Sequence, residues 1–464
     1  MQRIPIVGAG TLLLAACGGS GGSTAPPAPV VSVTVTPGTA TVVGGGTLQL
    51  TATLKDAAGT VLAGRTVTWA SSDIAVATVA IAGLMKGVAP GSVTITATSE
   101  GQSGMATITV NLVFAEVSAG NIRTCGVTTK GAAYCWGLNN DGQLGNGTTV
   151  DSPTPVAVVG GLAFKTVVAG GEGSHTCGIT TNGAAYCWGN DSAGQLGDGT
   201  TTNSAMPVAV AGGLTFTSLT LHFSHTCGIT ATGLAYCWGG NSTGQLGTGT
   251  TTASTVPVAV TGGLAFAAVA AGYYHTCGVT AGGVAYCWGV GDQLGTGSPA
   301  ESDVPAAVAG GLTFATITAG SFDSCGLTAN GAAFCWGFNT NGSLGDGTTN
   351  SSAVPVAVTG GFTFSALRAG FAHTCGVTTD HAAYCWGDNG SGEVGSGSAT
   401  GSGVLTPAAV VGGLTFAGVS TGALHTCGVT TSGIGYCWGL DGTGQLGDGT
   451  TTESAVPVKV VDQP

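Results

Sequence analysis

The sequence predicts an all-β protein, a seven-bladed β-propeller preceded by a smaller β-sandwich. Three observations carry this prediction. A unit of about 50 residues recurs seven times from residue 113 onward, a period typical of propellers and solenoids. Glycine contributes 86 of the 464 residues and only 6% are charged, a composition that suits short strands joined by tight turns. Over residues 30–112, apolar residues alternate with Thr and Ser, as in half-buried strands.

The N-terminal residues read as an export signal. Arg3 precedes a short apolar run, residues 4–14, and the segment Leu-Ala-Ala-Cys ends at Cys17. This segment resembles a bacterial lipoprotein signal, which implies that residues 1–16 are removed and that Cys17 carries the lipid. The alternative is an ordinary secretory signal with a chance cysteine. We expect an exported lipoprotein at the outer membrane or cell surface, with residues 17–29 as a Gly/Ser/Pro tether.

Residues 30–112 form the first folded unit. About seven short alternating segments are separated by turn signals such as Pro37-Gly38, which predicts a β-sandwich. The segments T-W-A-S-S-D-I-A-V-A-T-V and V-A-P-G-S-V-T-I-T-A-T resemble bacterial Ig-like domains of the group 2 type. The resemblance implies a stalk or spacer at the cell surface, with Trp69 in the core.

Each repeat contains four short strands, with the patterns L-x-F-x-x-V, H-T-C-G-V-T, A-A-Y-C-W-G and P-V-x-V. Seven four-stranded units fall within the range of propellers, and the terminal repeats lack the polar caps of a solenoid. We therefore expect a closed ring over residues 113–464. No further L-x-F-x-x-V strand follows the last unit, whereas residues 112–117 carry one. We predict that this N-terminal strand completes the blade begun by the C-terminus.

Two cysteines stand ten positions apart in every repeat. The pairs are Cys125 with Cys135, Cys177 with Cys187, Cys227 with Cys237, Cys277 with Cys287, Cys325 with Cys335, Cys375 with Cys385, and Cys427 with Cys437. In the second unit, a three-residue hairpin loop ending in glycine places Cys177 opposite Cys187, as a disulfide requires. Gly178 then faces Tyr186 and leaves room for its ring, and Trp188 shares that face. We expect one structural disulfide per blade, formed after export.

A metal or redox site is the alternative reading of these cysteines. A histidine stands two residues before the first cysteine in five units: His175, His225, His275, His373 and His425. The spacings of zinc ligands are absent, and Arg123 and Asp323 replace the histidine in the other two units. We predict instead that each histidine hydrogen-bonds the turn before it.

Calcium loops are the other metal candidate. The fragments Asn139-Asn140-Asp141-Gly142 and Asp441-Gly442 lack the repeated acidic ligands and the distal Glu of such loops. They predict Asx turns. The sequence therefore predicts no metal site and no cofactor.

The frame A-G-x-x-H-T-C-G-V-T-x-x-G-x-x-Y-C-W-G-x-N-x-x-G-Q-L-G-x-G resembles the repeat of the regulator of chromosome condensation family over about 350 residues. The resemblance implies a seven-bladed propeller used as a scaffold for protein contacts. Members include a nuclear exchange factor for a small GTPase, a plant UV-B photoreceptor and secreted bacterial β-lactamase inhibitors. Exchange needs a cytosolic GTPase, and UV sensing needs Trp where this chain has residues such as Tyr273 and Phe371, so we carry over neither activity.

The two residues before the histidine vary between units, whereas the surrounding frame hardly does. Aromatic residues at these positions are Phe223, Tyr273, Tyr274, Phe322 and Phe371. In the resembling family this turn opens at one end of the propeller. Variable aromatic positions on a constant scaffold are typical of an interaction surface, so these five are candidate partner-binding residues. The alternative is that they fill the central channel.

We therefore expect an exported, lipid-anchored envelope protein whose propeller binds a protein or a glycan and whose Ig-like domain is a stalk. A purely structural envelope component is the first alternative, and an exchange factor or an enzyme is the second. We assign no catalytic residues, since no H-E-x-x-H motif is present. A net charge of −12 with 9 Lys and Arg argues against nucleic acid. No later apolar run approaches the ~20 residues that span a bilayer, so we expect membrane contact through the lipid only.

Overall fold

The computed structural model of the protein describes residues 27–171 and 173–463. The signal at residues 1–16, the lipidation candidate Cys17, most of the tether and Glu172 lie outside the described residues. The described part is almost entirely β-structure, with two 3₁₀ turns at Ala211–Gly213 and Gly291–Gln293. In this part of the chain, no helix has the length and apolar character needed to cross a bilayer.

Nine strands form the N-terminal domain. They are β1 (Ser32–Thr36), β2 (Thr39–Val43), β3 (Thr47–Gln49), β4 (Thr51–Lys55), β5 (Thr68–Ser71), β6 (Ala77–Val79), β7 (Leu84–Gly87), β8 (Gly91–Ser99) and β9 (Gln102–Asn111). They build three sheets, in the orders β1-β4, β2-β9-β8-β5 and β3-β7-β6. Because successive side chains point to opposite faces of a strand, residues such as Ile95 and Ile108 face inward and form a buried core. Trp69 packs against this core. The domain has nine strands where about seven were expected, and two of them, β3 and β6, have only three residues each.

Twenty-eight strands form the propeller. They are β10 (Phe114–Ala119), β11 (Arg123–Thr128), β12 (Ala133–Gly137), β13 (Ser152–Ala157), β14 (Phe164–Ala169), β15 (His175–Thr180), β16 (Ala185–Gly189), β17 (Ser204–Ala209), β18 (Phe216–His222), β19 (His225–Thr230), β20 (Ala235–Gly239), β21 (Ser254–Ala259), β22 (Phe266–Ala271), β23 (His275–Thr280), β24 (Ala285–Gly289), β25 (Ser302–Ala307), β26 (Thr316–Ala319), β27 (Asp323–Leu327), β28 (Ala333–Gly337), β29 (Ser352–Ala357), β30 (Phe364–Ala369), β31 (His373–Thr378), β32 (Ala383–Gly387), β33 (Val404–Ala409), β34 (Phe416–Thr421), β35 (His425–Thr430), β36 (Gly435–Gly439) and β37 (Ser454–Lys459). They make seven four-stranded sheets, each of four consecutive strands, which we number as blades one to seven. The predicted seven-bladed, four-stranded architecture is confirmed.

The ring closes without strand exchange, so the prediction that the N-terminal strand completes the last blade is wrong. β10 is the innermost strand of blade one, and blade seven is complete from β34 to β37. The L-x-F-x-x-V strand begins a blade and does not end one. Closure instead uses main-chain bonds from Leu112 N to Asp462 O at 2.7 Å and from Phe114 N to Gly433 O at 3.1 Å.

The predicted hairpin register is confirmed. Cys177 lies opposite Cys187, and Gly178 lies opposite Tyr186. The role predicted for Gly178 is wrong: a Cβ there would lie 2.6 Å from Cδ1 of Phe164. The glycine therefore makes room for the phenylalanine of the preceding strand.

The prediction of Asx turns at Asn139 and Asp441 is wrong. Asn139 Oδ1 accepts from the Leu144 amide at 2.9 Å, and Asp441 Oδ1 accepts from the Leu446 amide at 2.8 Å. Both bonds reach five residues along the chain, whereas an Asx turn reaches two.

The seven predicted cysteine pairs all form disulfides in the structure. Each bridge links the second and third strands of one blade, with Cα–Cα separations of 4.0 to 4.1 Å. From blade one to blade seven, the bonds join Cys125 to Cys135, Cys177 to Cys187, Cys227 to Cys237, Cys277 to Cys287, Cys325 to Cys335, Cys375 to Cys385, and Cys427 to Cys437. In every pair the two cysteines are directly opposite each other in the hairpin. The metal or redox reading of these cysteines is therefore not supported.

Six of the seven disulfides pack against the aromatic face of the next blade. Cys125 and Cys135 of blade one share a buried cluster with Phe164 and Trp188 of blade two, and the Phe164 and Trp188 ring centroids lie 5.8 Å apart. Trp188 Nε1 donates a hydrogen bond back to the Gln143 carbonyl at 3.0 Å. Disulfide and tryptophan thus occupy opposite faces of a hairpin, and both faces are buried between blades.

The N-terminal domain covers blade one. Tyr134 is 1% exposed, and its hydroxyl donates to the Val88 carbonyl at 2.7 Å. Burial raises the pKa of Tyr134 to about 12. The equivalent Tyr186 of blade two is less buried, because no second domain lies over that blade.

Candidate binding surface at one end of the propeller

The residue two positions before each first cysteine contacts the next blade. Five histidines approach a Thr or Ser hydroxyl through Nε2 at 2.8–2.9 Å: His175–Thr226, His225–Thr276, His275–Ser324, His373–Thr426 and His425–Thr124. The prediction that each histidine bonds the turn before it is therefore wrong. The last of these pairs also links blade seven to blade one.

These histidines are held neutral. Thr226 Oγ1 donates to the Gln195 carbonyl at 3.0 Å, so it accepts from His175, which fixes the proton on Nε2. The Nδ1 atoms of all five rings are buried without a hydrogen-bond partner. Burial lowers the pKa of His225 to about 3, and the nearby His275 lowers it further. For His275, a hydrogen bond with Gln293 raises the pKa in part against burial. With burial as the largest cause in every ring, these side chains join blades rather than exchange protons.

Arg123 and Asp323 make the corresponding links in the other two blades. Arg123 donates from Nη1 to the Gly173 carbonyl at 2.7 Å and from Nε to Thr176 Oγ1 at 3.1 Å. Thr374 Oγ1 donates to the Ser343 carbonyl at 3.0 Å and lies 3.5 Å from Asp323 Oδ2. Burial raises the pKa of Asp323 to about 8, although hydrogen bonds from Ser343 and Thr374 lower it in part. All seven blade junctions therefore carry a side-chain link.

The innermost strands surround a cavity of about 540 Å³ on the propeller axis. Small and hydroxyl side chains line most of it, together with the charged Glu116 and Arg368. At one end the glycines that follow these strands come close together: a Cβ at Gly422 would lie 2.2 Å from the Gly120 carbonyl oxygen. Only glycine permits this approach, which narrows the channel at that end.

His222 takes the place of this glycine in blade three and fills the same end of the channel. It is 4% exposed and accepts from the Phe223 amide at Nδ1, 3.0 Å away. Its Nε2 lies 3.4 Å from Ser321 Oγ of blade five, and its ring lies 6.1 Å from that of Tyr273. The pKa of His222 is lowered to about 3, mainly by burial and in smaller part by the nearby His225 and His275.

The structure brings the five predicted aromatic residues together just beyond this end of the channel. Phe223 stacks on Tyr273 with centroids 4.1 Å apart, and Tyr273 meets Tyr274 at 4.5 Å. Tyr273 also stacks on Phe322 at 5.8 Å, and Phe322 meets Phe371 at 5.4 Å. All five side chains are partly exposed. They form one contiguous row that crosses four blades, from three to six.

Phe338 extends this row, although it was not among the residues predicted from the sequence. Its ring lies 6.1 Å from that of Phe322 and it is 40% exposed. The Phe338 amide donates to the Phe322 carbonyl at 2.9 Å. This bond places Phe338, which follows the Y/F-C-W-G segment of the repeat, beside Phe322, which directly precedes the histidine position. The variation of that position between units is the signal that could have found it. We call Phe223, Tyr273, Tyr274, Phe322, Phe338 and Phe371 the aromatic cluster.

The geometry does not favour the alternative role of these aromatic side chains, which was to fill the central channel of the propeller. None of the aromatic cluster residues lines the axial cavity in the described part of the chain, whereas His222, Gly171 and Gly370 do. Blades seven and one carry Leu424 and Ile122 at the corresponding turn. The aromatic cluster is therefore one-sided and open to solvent.

Family comparisons agree with this architecture. The family described as "RCC1-like domain" matches residues 164–463. The "Regulator of chromosome condensation (RCC1) repeat" matches residues 130–179 and 114–143. "Bacterial Ig-like domain (group 2)" matches residues 29–110.

Individual relatives align over short stretches. The Ultraviolet-B receptor UVR8 of Arabidopsis thaliana is 37% identical over 97 residues, 20% of this chain and 22% of that protein. Protein RCC2 homolog of Danio rerio is 38% identical over 84 residues, 18% of this chain and 17% of that protein. The chain thus spans about a fifth of the length of these relatives. The solved complex of Kap60 bound to yeast RCC1 (Prp20) aligns with a TM-score of 0.64 at 19% identity, covering 72% of this chain and 84% of that chain, and this likeness concerns the fold alone. The chain belongs to the RCC1-like domain family, and a bacterial Ig-like domain of group 2 precedes its propeller.

Proposed function

We propose that this protein is an exported, lipid-anchored binding scaffold of the cell envelope. In this proposal the propeller holds a protein partner on the aromatic cluster, and the Ig-like domain is the stalk. The observation that carries it is the contiguous, partly exposed row of aromatic side chains over four blades. Clustered aromatic residues dominate the binding energy of protein interfaces.

The composition of the aromatic cluster favours a protein partner over a glycan. Four of its six members are phenylalanines (Phe223, Phe322, Phe338 and Phe371), and these offer no hydrogen bonds to sugar hydroxyls. Phenylalanine rings suit the apolar side chains that a protein partner buries. The match to the RCC1-like domain family is compatible with a protein-binding scaffold.

Replacing Tyr273, Tyr274 and Phe322 together by Ser is expected to abolish partner capture. Truncating a hot-spot residue costs about 2 kcal/mol or more, so three should weaken binding by at least about 100-fold. The fold should persist, because none of the three belongs to a buried inter-blade cluster such as that around Trp288. Capture is measured on intact cells with a photo-crosslinking residue in place of Phe338, followed by identification of the covalent adduct.

A matched variant tests whether any loss of apolar surface has the same effect. Val150, Met206 and Val256 are 70%, 57% and 39% exposed. Met206 and Val256 lie on the outermost strands β17 and β21, and Val150 lies just before the outermost strand β13, so changing them to Ser should leave capture intact. Undiminished capture by the triple serine variant of the aromatic cluster would contradict the proposal. Identification of a glycan in the adduct would show that the partner is a glycan and not a protein. The absence of any adduct would favour a purely structural envelope component.

Changing Cys17 to Ser is expected to release the protein from the membrane fraction. An acyl chain contributes about 0.8 kcal/mol per buried CH₂ group, so loss of the lipid removes the proposed anchor. The measurement is the distribution between membrane and soluble fractions, with palmitate labelling of the unaltered protein as the positive control. A Cys17→Ser protein that remains in the membrane fraction would refute lipid anchoring.

A further inference from the structure

The axial cavity contains a ring of side chains at equivalent positions, one from each blade. Each of these residues lies on the innermost strand, opposite the first cysteine of its blade, and each lines the cavity. From blade one to blade seven they are Ser118, Val168, Thr220, Ala270, Thr318, Arg368 and Ser420. We call these seven residues the axial ring. Four of its members carry a hydroxyl, and Arg368 carries a positive charge.

The four hydroxyls of the axial ring have protons to donate. Each hydroxyl accepts a main-chain N–H of the next blade at 2.9–3.2 Å: Ser118 from Ala169, Thr220 from Ala271, Thr318 from Ala369, and Ser420 from Ala119. A Ser or Thr hydroxyl also has one O–H donor, which rotates to suit its surroundings. In the described part of the chain, these four hydroxyls donate to no protein group. Their protons can therefore be given to a molecule in the cavity.

Arg368 brings a cation into the cavity without an ion pair. Its guanidinium has five N–H donors, and Nη1 donates to the Leu367 carbonyl at 2.8 Å. Among the residues that the structure describes, the single ion pair joins Arg65 to Glu100 in the N-terminal domain, so no carboxylate holds Arg368. Burial lowers the pKa of Arg368, and the charge of Glu116 raises it in part. An enclosed charge is costly unless it is paired and hydrogen-bonded, so the remaining donors favour an anionic group.

Glu116 places a negative charge in the same cavity. It lies on β10, two residues before the axial ring, and two residues of a strand span roughly 7 Å. Its Oε1 accepts from the Val167 amide at 3.1 Å, which fixes the carboxylate against blade two and leaves Oε2 for another donor. The cavity therefore presents a cation and an anion that do not pair with each other.

The cavity has the size and the access that a small molecule needs. Its volume of about 540 Å³ lies within the range of roughly 300–1,000 Å³ found for small-molecule sites. The glycines and His222 narrow one end, as described above. At the other end, Ala115, Ala267 and Ala417 line the cavity and are exposed, so a small molecule can enter there.

We propose that the axial cavity binds a small zwitterion, a molecule that carries one carboxylate and one amine. The carboxylate pairs with Arg368, whose fork of N–H groups matches two carboxylate oxygens. The hydroxyls of its neighbours in the axial ring, Thr318 and Ser420, donate to the same group. The amine donates to Glu116. A zwitterion gives both charges a partner, whereas a simple anion leaves Glu116 unpaired and a simple cation leaves Arg368 unpaired.

This inference goes beyond the proposed function and does not depend on it. The aromatic cluster lies outside the axial cavity, so the two sites use different residues. The triple serine variant of the aromatic cluster should therefore bind the zwitterion as the unaltered chain does.

The test is calorimetric titration of the full chain with ω-amino acids from glycine to 6-aminohexanoate, which vary the distance between the two charges. Butyrate and butylamine are the matched controls, since each lacks one charged group of 4-aminobutyrate. We expect the best ω-amino acid to bind at least about tenfold more tightly than either control, because a hydrogen bond to a charged group changes an affinity by about that factor or more. The proposal would be overturned if no ω-amino acid bound at about 10 mM, tenfold above a millimolar Kd, or if butyrate bound as tightly as the best of them.

Two variants assign the charged groups. Arg368→Gln should abolish the binding of the ω-amino acid, and Glu116→Gln should reduce it to the affinity of butyrate. Both variants should fold, because the other members of the axial ring are uncharged and a glutamine oxygen can still accept from the Val167 amide. Lys165→Gln removes an exposed cation that does not line the cavity, so it should leave binding unchanged. Undiminished binding by Arg368→Gln or by Glu116→Gln, or an equal loss in Lys165→Gln, would show that the axial cavity is not the site.

Discussion

Acidification from pH 7 to pH 4 is expected to unfold the propeller. Six histidines are buried, His175, His222, His225, His275, His373 and His425, and burial is the largest cause that lowers the pKa of each. The pKa falls to about 3 or 4 in His222, His225, His275, His373 and His425. In the unfolded chain the histidine pKa is near 6.5, so below this pH the unfolded chain binds protons that the folded chain does not bind. Stability from these groups is therefore present above pH 6.5 and is lost as the pH falls toward 4.

The magnitude follows from the size of the shifts. Each pKa unit corresponds to about 1.4 kcal/mol, so each of the five histidines whose pKa falls to about 3 or 4 costs about 3 kcal/mol at pH 4, on the order of 15 kcal/mol together. Buried carboxyls act in the opposite direction, since burial raises the pKa of Asp323 to about 8 and of Glu393 to about 7, and those of Asp191 and Asp441 to about 6. Protonation of these four carboxyls between pH 7 and pH 4 stabilises the folded state by on the order of 10 kcal/mol. The contribution of the two aspartates is reduced in this sum because solvent screens them in part. The net loss is comparable to the whole stability of a typical domain.

Near-ultraviolet circular dichroism against pH measures this transition. His373→Gln should lower the acid midpoint, because the glutamine amide can still donate to Thr426 but gains no proton. His381 lies in an exposed hairpin loop, so His381→Gln is the matched control and should leave the midpoint unchanged. Native dichroism at pH 3, or equal midpoints for both variants, would contradict this account.

Reduction of the seven disulfides is expected to prevent the propeller from folding. Each bridge joins cysteines ten residues apart, and closing so short a loop contributes roughly 2–3 kcal/mol. Seven bridges contribute on the order of 15 kcal/mol, at or above the stability of a typical domain. The bridged cysteines are all 0% exposed, so a reductant should act only after denaturation.

Refolding from urea with and without dithiothreitol, with thiol counting, measures this effect. We expect the oxidised chain to regain its native spectrum and the reduced chain to remain unfolded. Replacing both Cys227 and Cys237 by Ala, which removes one bridge, should lower the free energy of unfolding by roughly 2–3 kcal/mol and leave the ring closed. Full recovery of the native spectrum under reducing conditions would refute a structural role for the bridges.

The pairings that the sequence predicted correctly are short-range. The hairpin that sets Cys177 against Cys187 is determined by a loop of three residues, and the four strands of each blade follow each other in the chain. The aromatic cluster was found in large part because five of its members stand at two adjacent positions of the repeat, directly before the histidine position. Phe338 was missed because it follows β28, whereas its neighbour Phe322 precedes β27, so the two stand at different positions of the repeat.

What the tertiary structure decided depends on residues far apart in the chain. The partner of His175 is Thr226, 51 residues away, and Leu112 meets Asp462 at the closure. The sequence by itself determined the blade number, the strand order within a blade and the cysteine register, because turn geometry and strand alternation act over about ten residues. Only the closed ring decided which blade supplies each hydrogen-bond partner and where the axis is filled, because these contacts form when whole blades pack together.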